Sequence, residues 1–120
     1  MADPVPAAAR GSLVIAPRVV TRVAELSALQ VAHVVRRREG LDRITGRGLP
    51  RVAAAIERDR VRLELDVAVV WPCPVEAVAT EVRRHVSEQT ERLTGLRVRA
   101  ADVTVHAVAP DDSSERRRVQ

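Results

Sequence analysis

The stretch VRLELDVAVVW, residues 61–71, constrains the fold more than any other part of the chain. Val61, Leu63, Leu65, Val67, Val69 and Trp71 fall on one face of a strand, with Arg62, Glu64 and Asp66 on the other. Strand side chains alternate with period two, so a slip of one residue would drive the whole apolar set into water. One-sided alternation of this kind demands a sheet with one face buried and one face wet. The buried face needs a cover, and the cover must come from elements that carry an apolar stripe.

Two segments carry one. In PRVVTRVAELSALQV, Val20, Val23, Ala24 and Ser27 recur at spacings of three and four, the period of a helix with one apolar face. Pro17 opens it at a position where the missing N–H costs nothing. In PVEAVATEVRRHVSEQTERLTG, Val75, Val78, Ala79, Val82, Val86 and Leu93 form a second such face. Pro74 starts this helix and Gly95 is placed to end it. WPCP, residues 71–74, then reads as punctuation: Pro72 cannot continue a strand's hydrogen-bond ladder, and Pro74 pre-sets a helical turn.

The remaining elements follow from neighbours. RVAAAI, leading through ERDR into the alternating stretch, predicts a hairpin. LRVRAADVTVHAVA predicts a last strand. Its apolar parity changes from Leu96 and Val98 to Val103 and Val105, which predicts a bulge near Ala100 and Ala101. GSLVIA, residues 11–16, is expected to be a first strand. VAHVV, residues 31–35, either extends the first helix or forms a strand, and strand is preferred. The expected fold is therefore α+β: a mixed sheet with two amphipathic helices packed on one face. Residues 1–10 are expected to be a disordered lead, residues 11–109 the domain, and residues 110–120 a charged tail. Residues 36–50, with three glycines and a proline, are expected to be a long mobile loop.

The chain has no Phe or Tyr, so its core has to be built from Val, Leu, Ile and Ala. A single cysteine excludes an internal disulfide and favours a reducing compartment. No charged-then-apolar leader is visible, and no apolar run approaches the roughly 20 residues of a spanning helix. A cytoplasmic location is the expectation.

Chemistry is hard to find in these residues. Cys73 would need a positioned base to act as a nucleophile, and no His lies near it in sequence; a structural cysteine is expected. His33, His85 and His106 sit on three different predicted elements and lack metal-ligand spacing. Glu76, Glu81, Glu88 and Glu91 interleave with Arg83, Arg84 and Arg92, the pattern of a solvated, ion-paired helix face. No phosphate-binding glycine motif occurs. No cofactor, metal or catalytic residue is assigned.

The charge is localised. Arg36, Arg37, Arg38, Arg43, Arg47 and Arg51 face only Glu39 and Asp42, so this stretch alone accounts for the net +4 of the chain. These six arginines are the candidate contacts to a partner, to anionic lipid or to nucleic acid. Sequence-tolerant nucleic-acid binding leans on exposed aromatics, and Trp71, the only one, is expected to be buried in the sheet. Nucleic acid therefore ranks below a protein partner.

Three stretches together resemble one family. GSLVIAPRVVTRVAELSALQV, VRLELDVAVVWPCPVEAVATEVRRHV and TGLRVRAADVTVHAV are similar, in order and spacing, to segments of the alkaline shock protein family, also called the envelope stress response family of Gram-positive bacteria. The resemblance runs from about Gly11 to Val108, and residues 31–50 depart from it. It implies a small non-enzymatic cytoplasmic protein linked to envelope stress. It further implies gathering at the inner face of the membrane through a membrane-anchored family member or related protein, with self-association in some members. The all-arginine basic set suits GC-rich codon usage, as in an actinobacterium. The alternative is a small basic nucleic-acid-binding domain that uses the Arg36–Arg51 segment.

Overall fold

The computed structural model describes residues 15–37 and 48–110. The expected lead and tail, and the centre of the arginine loop, lie outside these residues. So do residues 11–14 of the expected first strand; Ile15 and Ala16 are not in a strand.

The alternating stretch is the central strand, β3 (Arg60–Val70), preceded in chain order by α1 (Pro17–Ala28), β1 (Val34–Val35) and β2 (Arg51–Glu57). It is followed by α2 (Val75–Thr94) and β4 (Arg97–Val108). β2 pairs antiparallel along the first part of β3, from Glu57 opposite Arg60 to Arg51 opposite Asp66. β1 continues the same edge further on, with Val34 opposite Val69 and Val35 opposite Ala68. β4 takes the other edge, parallel to β3 along its whole length. The sheet is thus mixed, as parallel neighbours joined through a helix require.

Every odd residue of β3 from Val61 to Val69 is at most 1% exposed. They share one core with Val20, Ala24 and Ala28 of α1 and with Val78, Val82 and Val86 of α2. The two helices pack on each other, α1 also on β2 and α2 also on β4, so both cover a single face of the sheet. The opposite face carries no helix among the described residues.

Local chemistry accounts for the boundaries. The Ala16 carbonyl accepts from the N–H groups of Val19 and Val20 and so opens α1 behind Pro17. Gly95 ends α2 at φ 81, donating its N–H to the Glu91 carbonyl. That left-handed conformation is one that glycine adopts without the Cβ penalty. Val34 and Val35 are strand, while the preceding Val31–His33 turn the chain out of α1, with His33 at φ 77. The expected bulge is present: Val61 faces Val98 but Arg62 faces Ala100, leaving Arg99 as the extra residue.

Two expectations are corrected. Trp71 is 54% exposed rather than buried, because β3 ends at Val70 and the chain leaves the sheet plane in the turn that follows. Its N–H still donates to the Val108 carbonyl, at 2.9 Å, but its side chain no longer follows the parity of the strand. Leu93 is 60% exposed, and Thr90 takes the last core position of α2. The Thr90 hydroxyl is fully buried and has no hydrogen-bond partner.

Three measurements by urea unfolding check this account. Leu63→Ala is expected to cost about 2–5 kcal/mol, the loss of a fully buried leucine with its cavity left behind. Thr90→Val is expected to gain about 1 kcal/mol or more, since an unsatisfied hydroxyl is exchanged for a methyl of the same shape. Gly95→Ala is expected to cost about 1 kcal/mol; nothing lies within 4 Å of the added Cβ, so the loss is conformational alone. An unchanged midpoint for Leu63→Ala would refute the assigned register.

Candidate interaction surface

β4 spans 12 residues and pairs with β3 only. Its other edge is unpaired among the described residues. At the rise of an extended strand it presents about 40 Å of backbone with alternating free N–H and C=O groups. Val103 and Val105 remain half-buried on the helix side of this edge, where the helix layer covers them incompletely. The outer edge of β2 is shorter, seven residues, and α1 lies against that strand.

The helix-free face is exposed along Arg62 and Glu64, while Ala68 further along it is buried. Its rows across β2, β3 and β4 follow from the register: Ala55, Arg62 and Ala100; Ala53, Glu64 and Asp102; Arg51, Asp66 and Thr104. Asp66 ties the three strands together. Its Oδ1 lies 3.0 Å from His106 Nε2 on β4, and its Oδ2 lies 3.9 Å from Arg51 Nε on β2. All three side chains are partly exposed, so each contact is worth at most about 1 kcal/mol.

The arginine segment is only partly in view. Arg38, Arg43 and Arg47 lie outside the described residues. Arg36 is exposed, and Arg37 exchanges two backbone hydrogen bonds with Leu49, of 2.9 and 2.7 Å. This bridge closes the base of the loop. Arg51 is turned onto the sheet toward Asp66. Exposed Trp71 lies beyond the end of β3, whereas Arg51 faces Asp66 within the strand.

Other candidates resolve into structure. Cys73 is half-buried against the core. His85 Nε2 is 2.6 Å from Gln30 Oε1 and links α2 to the end of α1. On α2, Arg84 bonds both Glu81 and Glu88 at three- and four-residue spacing, the ion-paired face expected of that helix. The Arg84 hydrogen bond holds the Glu81 carboxyl below its ordinary value of 4.5 and pushes the Arg84 guanidinium up. Val19 and Leu26, 47% and 43% exposed, leave an apolar strip on the outside of α1. No group of three or more His, Cys, Asp or Glu able to hold a metal ion occurs among the described residues.

Reading along the chain missed one cluster. Arg-Val-Arg occurs twice, at 60–62 and at 97–99. The parallel register sets the two copies side by side, Arg60 against Arg97 and Val61 against Val98. Arg60, Arg62 and Arg99 line one groove of about 340 Å3. The repeated tripeptide was the signal, but its meaning depends on knowing that β3 and β4 are neighbours.

The fold and surface define a small α+β domain that presents a strand edge and an open sheet face. Residues 6–110 match the alkaline shock protein 23 family, a family with a cell envelope-related function, and the chain belongs to that family. Among solved structures, the domain is similar to the zinc form of a MamM CTD variant, with 18% identity and a TM-score of 0.53 over 81% of this chain and 91% of that one. A cadmium form of MamM CTD gives 18% and 0.52 over 78% and 99%. A nickel form gives 19% and 0.51 over 76% and 98%. At such identity the likeness is one of fold; the metals belong to those proteins. No curated protein matches the chain. No helix among the described residues is long and apolar enough to cross a membrane.

Two outcomes follow. Cys73→Ala is expected to leave partner binding intact in a pull-down, with only a small loss of stability. A large loss of binding in a stably folded variant would make the thiol functional. The depressed Glu81 carboxyl contributes stability above its ordinary pKa, and that contribution is lost as pH falls through the lower folded value. Thermal midpoints recorded against pH are therefore expected to fall less steeply on the acid side in Glu81→Gln.

Proposed function

We propose that this protein acts by binding, without catalysis, as an envelope-associated interaction protein. It binds a membrane-anchored partner, or a second copy of itself, at the cytoplasmic face of the cell membrane. The observation that supports this reading is the unpaired edge of β4. Twelve residues of edge strand are a template for strand addition, in which main-chain hydrogen bonds supply affinity and alternate side chains supply selectivity. Membership of a family with a cell envelope-related function supports the setting, with a partner as the proposed means of attachment. Arg51, at the start of β2, lies on the side of β3 opposite β4, where it assists through charge.

The test is pull-down from cells followed by membrane fractionation. The expected result is co-purification with a membrane-anchored protein or with itself. A monomeric protein bound to nucleic acid, released by neutralising Arg36, Arg37 and Arg51, would overturn the reading and promote the nucleic-acid alternative. A proline scan over Asp102, Val103 and Thr104 locates the contact. Alternate residues point their N–H toward β3 or outward, and proline is tolerated on an edge strand only where the lost N–H faces out. The outward positions are expected to lose partner binding while keeping the fold, and the inward ones to lose both.

A further inference from the structure

The two Arg-Val-Arg copies crowd cations where folding alone would disperse them. Arg60 stands directly opposite Arg97, a like-charge pair that destabilises adjacent strands. The bulge adds a third cation. Arg99 is the extra residue between Val98 and Ala100, so Ala100 and not Arg99 takes the place opposite Arg62, and Arg99 stands beside Arg62 at the groove. Arg60, Arg62 and Arg99 consequently line one groove, with Ala55, Ile56, Glu57 and Val61 as its other walls. Among the described residues, none of the three guanidinium groups, nor that of Arg97, makes an ion pair or hydrogen bond. Glu57 is the single carboxylate in the groove, set against three arginines. Unlike Arg84, which is held by two glutamates, none of these cations is ion-paired among the described residues.

We propose that this groove binds a phosphate or diphosphate group, carried either by a small phosphorylated molecule or by a lipid headgroup. The volume of about 340 Å3 falls at the small end of ligand sites. Three guanidinium forks arriving from two strands suit a tetrahedral anion with several acceptor oxygens, and arginine recognises phosphate in pairs of parallel bonds. A lone carboxylate would occupy only part of that donor set. Ala55, opposite Arg62, keeps that wall low, so the anion can approach the sheet. A nucleic-acid strand fits less well. The only aromatic side chain, Trp71, lies beyond the far end of β3, whereas Arg62 lies near its start, about 26 Å from the last strand residue Val70 at strand rise, so the indole is not placed to stack a base beside the same phosphate.

The test is calorimetric titration of the full chain with pyrophosphate at low salt, with thermal unfolding in parallel. Pyrophosphate is expected to bind saturably and to raise the unfolding midpoint. Arg62→Gln and Arg99→Gln are each expected to weaken binding about tenfold, the loss of one charge-assisted contact. Arg83→Gln, an equal loss of charge on the exposed side of α2, is expected to change nothing. All three positions are exposed, so the variants keep the fold. Flotation with vesicles of phosphatidylcholine containing a minor share of phosphatidic acid, against phosphatidylcholine alone, separates the sources. Flotation lost in Arg62→Gln assigns the headgroup, and pyrophosphate binding without flotation assigns a free phosphorylated molecule. The proposal falls if neither pyrophosphate nor these vesicles bind, or if Arg83→Gln weakens binding as much as Arg62→Gln. It also falls if single-stranded RNA outcompetes pyrophosphate and Trp71→Ala abolishes that advantage.

Discussion

Everything in this domain depends on the burial of one face of β3. Five side chains, Val61 to Val69 at alternate positions, are withdrawn from water almost completely. Each is worth about 1.5–3 kcal/mol against exposure. Without Phe or Tyr, no single side chain can fill the space between sheet and helices. The layers must approach closely, and valine and alanine on α1 and α2 allow it. The same arrangement leaves the other face without a helix, because both amphipathic helices among the described residues lie on one side.

The parts that were legible in the sequence are those set by periodicity over many residues. The register of β3, both helices and the bulge in β4 could be read from spacing alone, since each misplacement would expose a whole apolar set. The errors fell at ends. Trp71 continues the parity of β3 on paper, but hydrogen bonding to β1 and β4 decides where the strand stops. Leu93 continues the stripe of α2, but the helix has by then run past the sheet, and Thr90 fills the last covered position.

The candidate surfaces were less legible, for a different reason. Counting charge along the chain singles out Arg36–Arg51, where arginines are consecutive and acids few. Arg60, Arg62, Arg97 and Arg99 vanish in that count, because Glu57, Asp59, Glu64 and Asp102 lie near them in sequence. Register separates what sequence mixes. Asp102 is carried up the face to stand beside Glu64, and the four arginines gather at the foot of the sheet. A charge cluster assembled from two strands is a tertiary fact, and only the pairing of β3 with β4 supplies it.

The bulge at Arg99 divides β4 between two tasks. Before it, the strand holds cations against β3 around a groove; after it, from Ala100 to Val108, the ladder with β3 runs in unbroken register. A bulge increases local twist and turns an edge away from a potential partner strand. The regular part, Ala100–Val108, is the stretch of that edge best suited to strand addition, and it runs away from the arginines. A partner strand docked along Ala100–Val108 would leave the groove accessible, and an anion in the groove would not obstruct the edge. The two surfaces can therefore be occupied together, which is what a small protein needs if it is to join a protein partner and a phosphate-bearing ligand without a second domain.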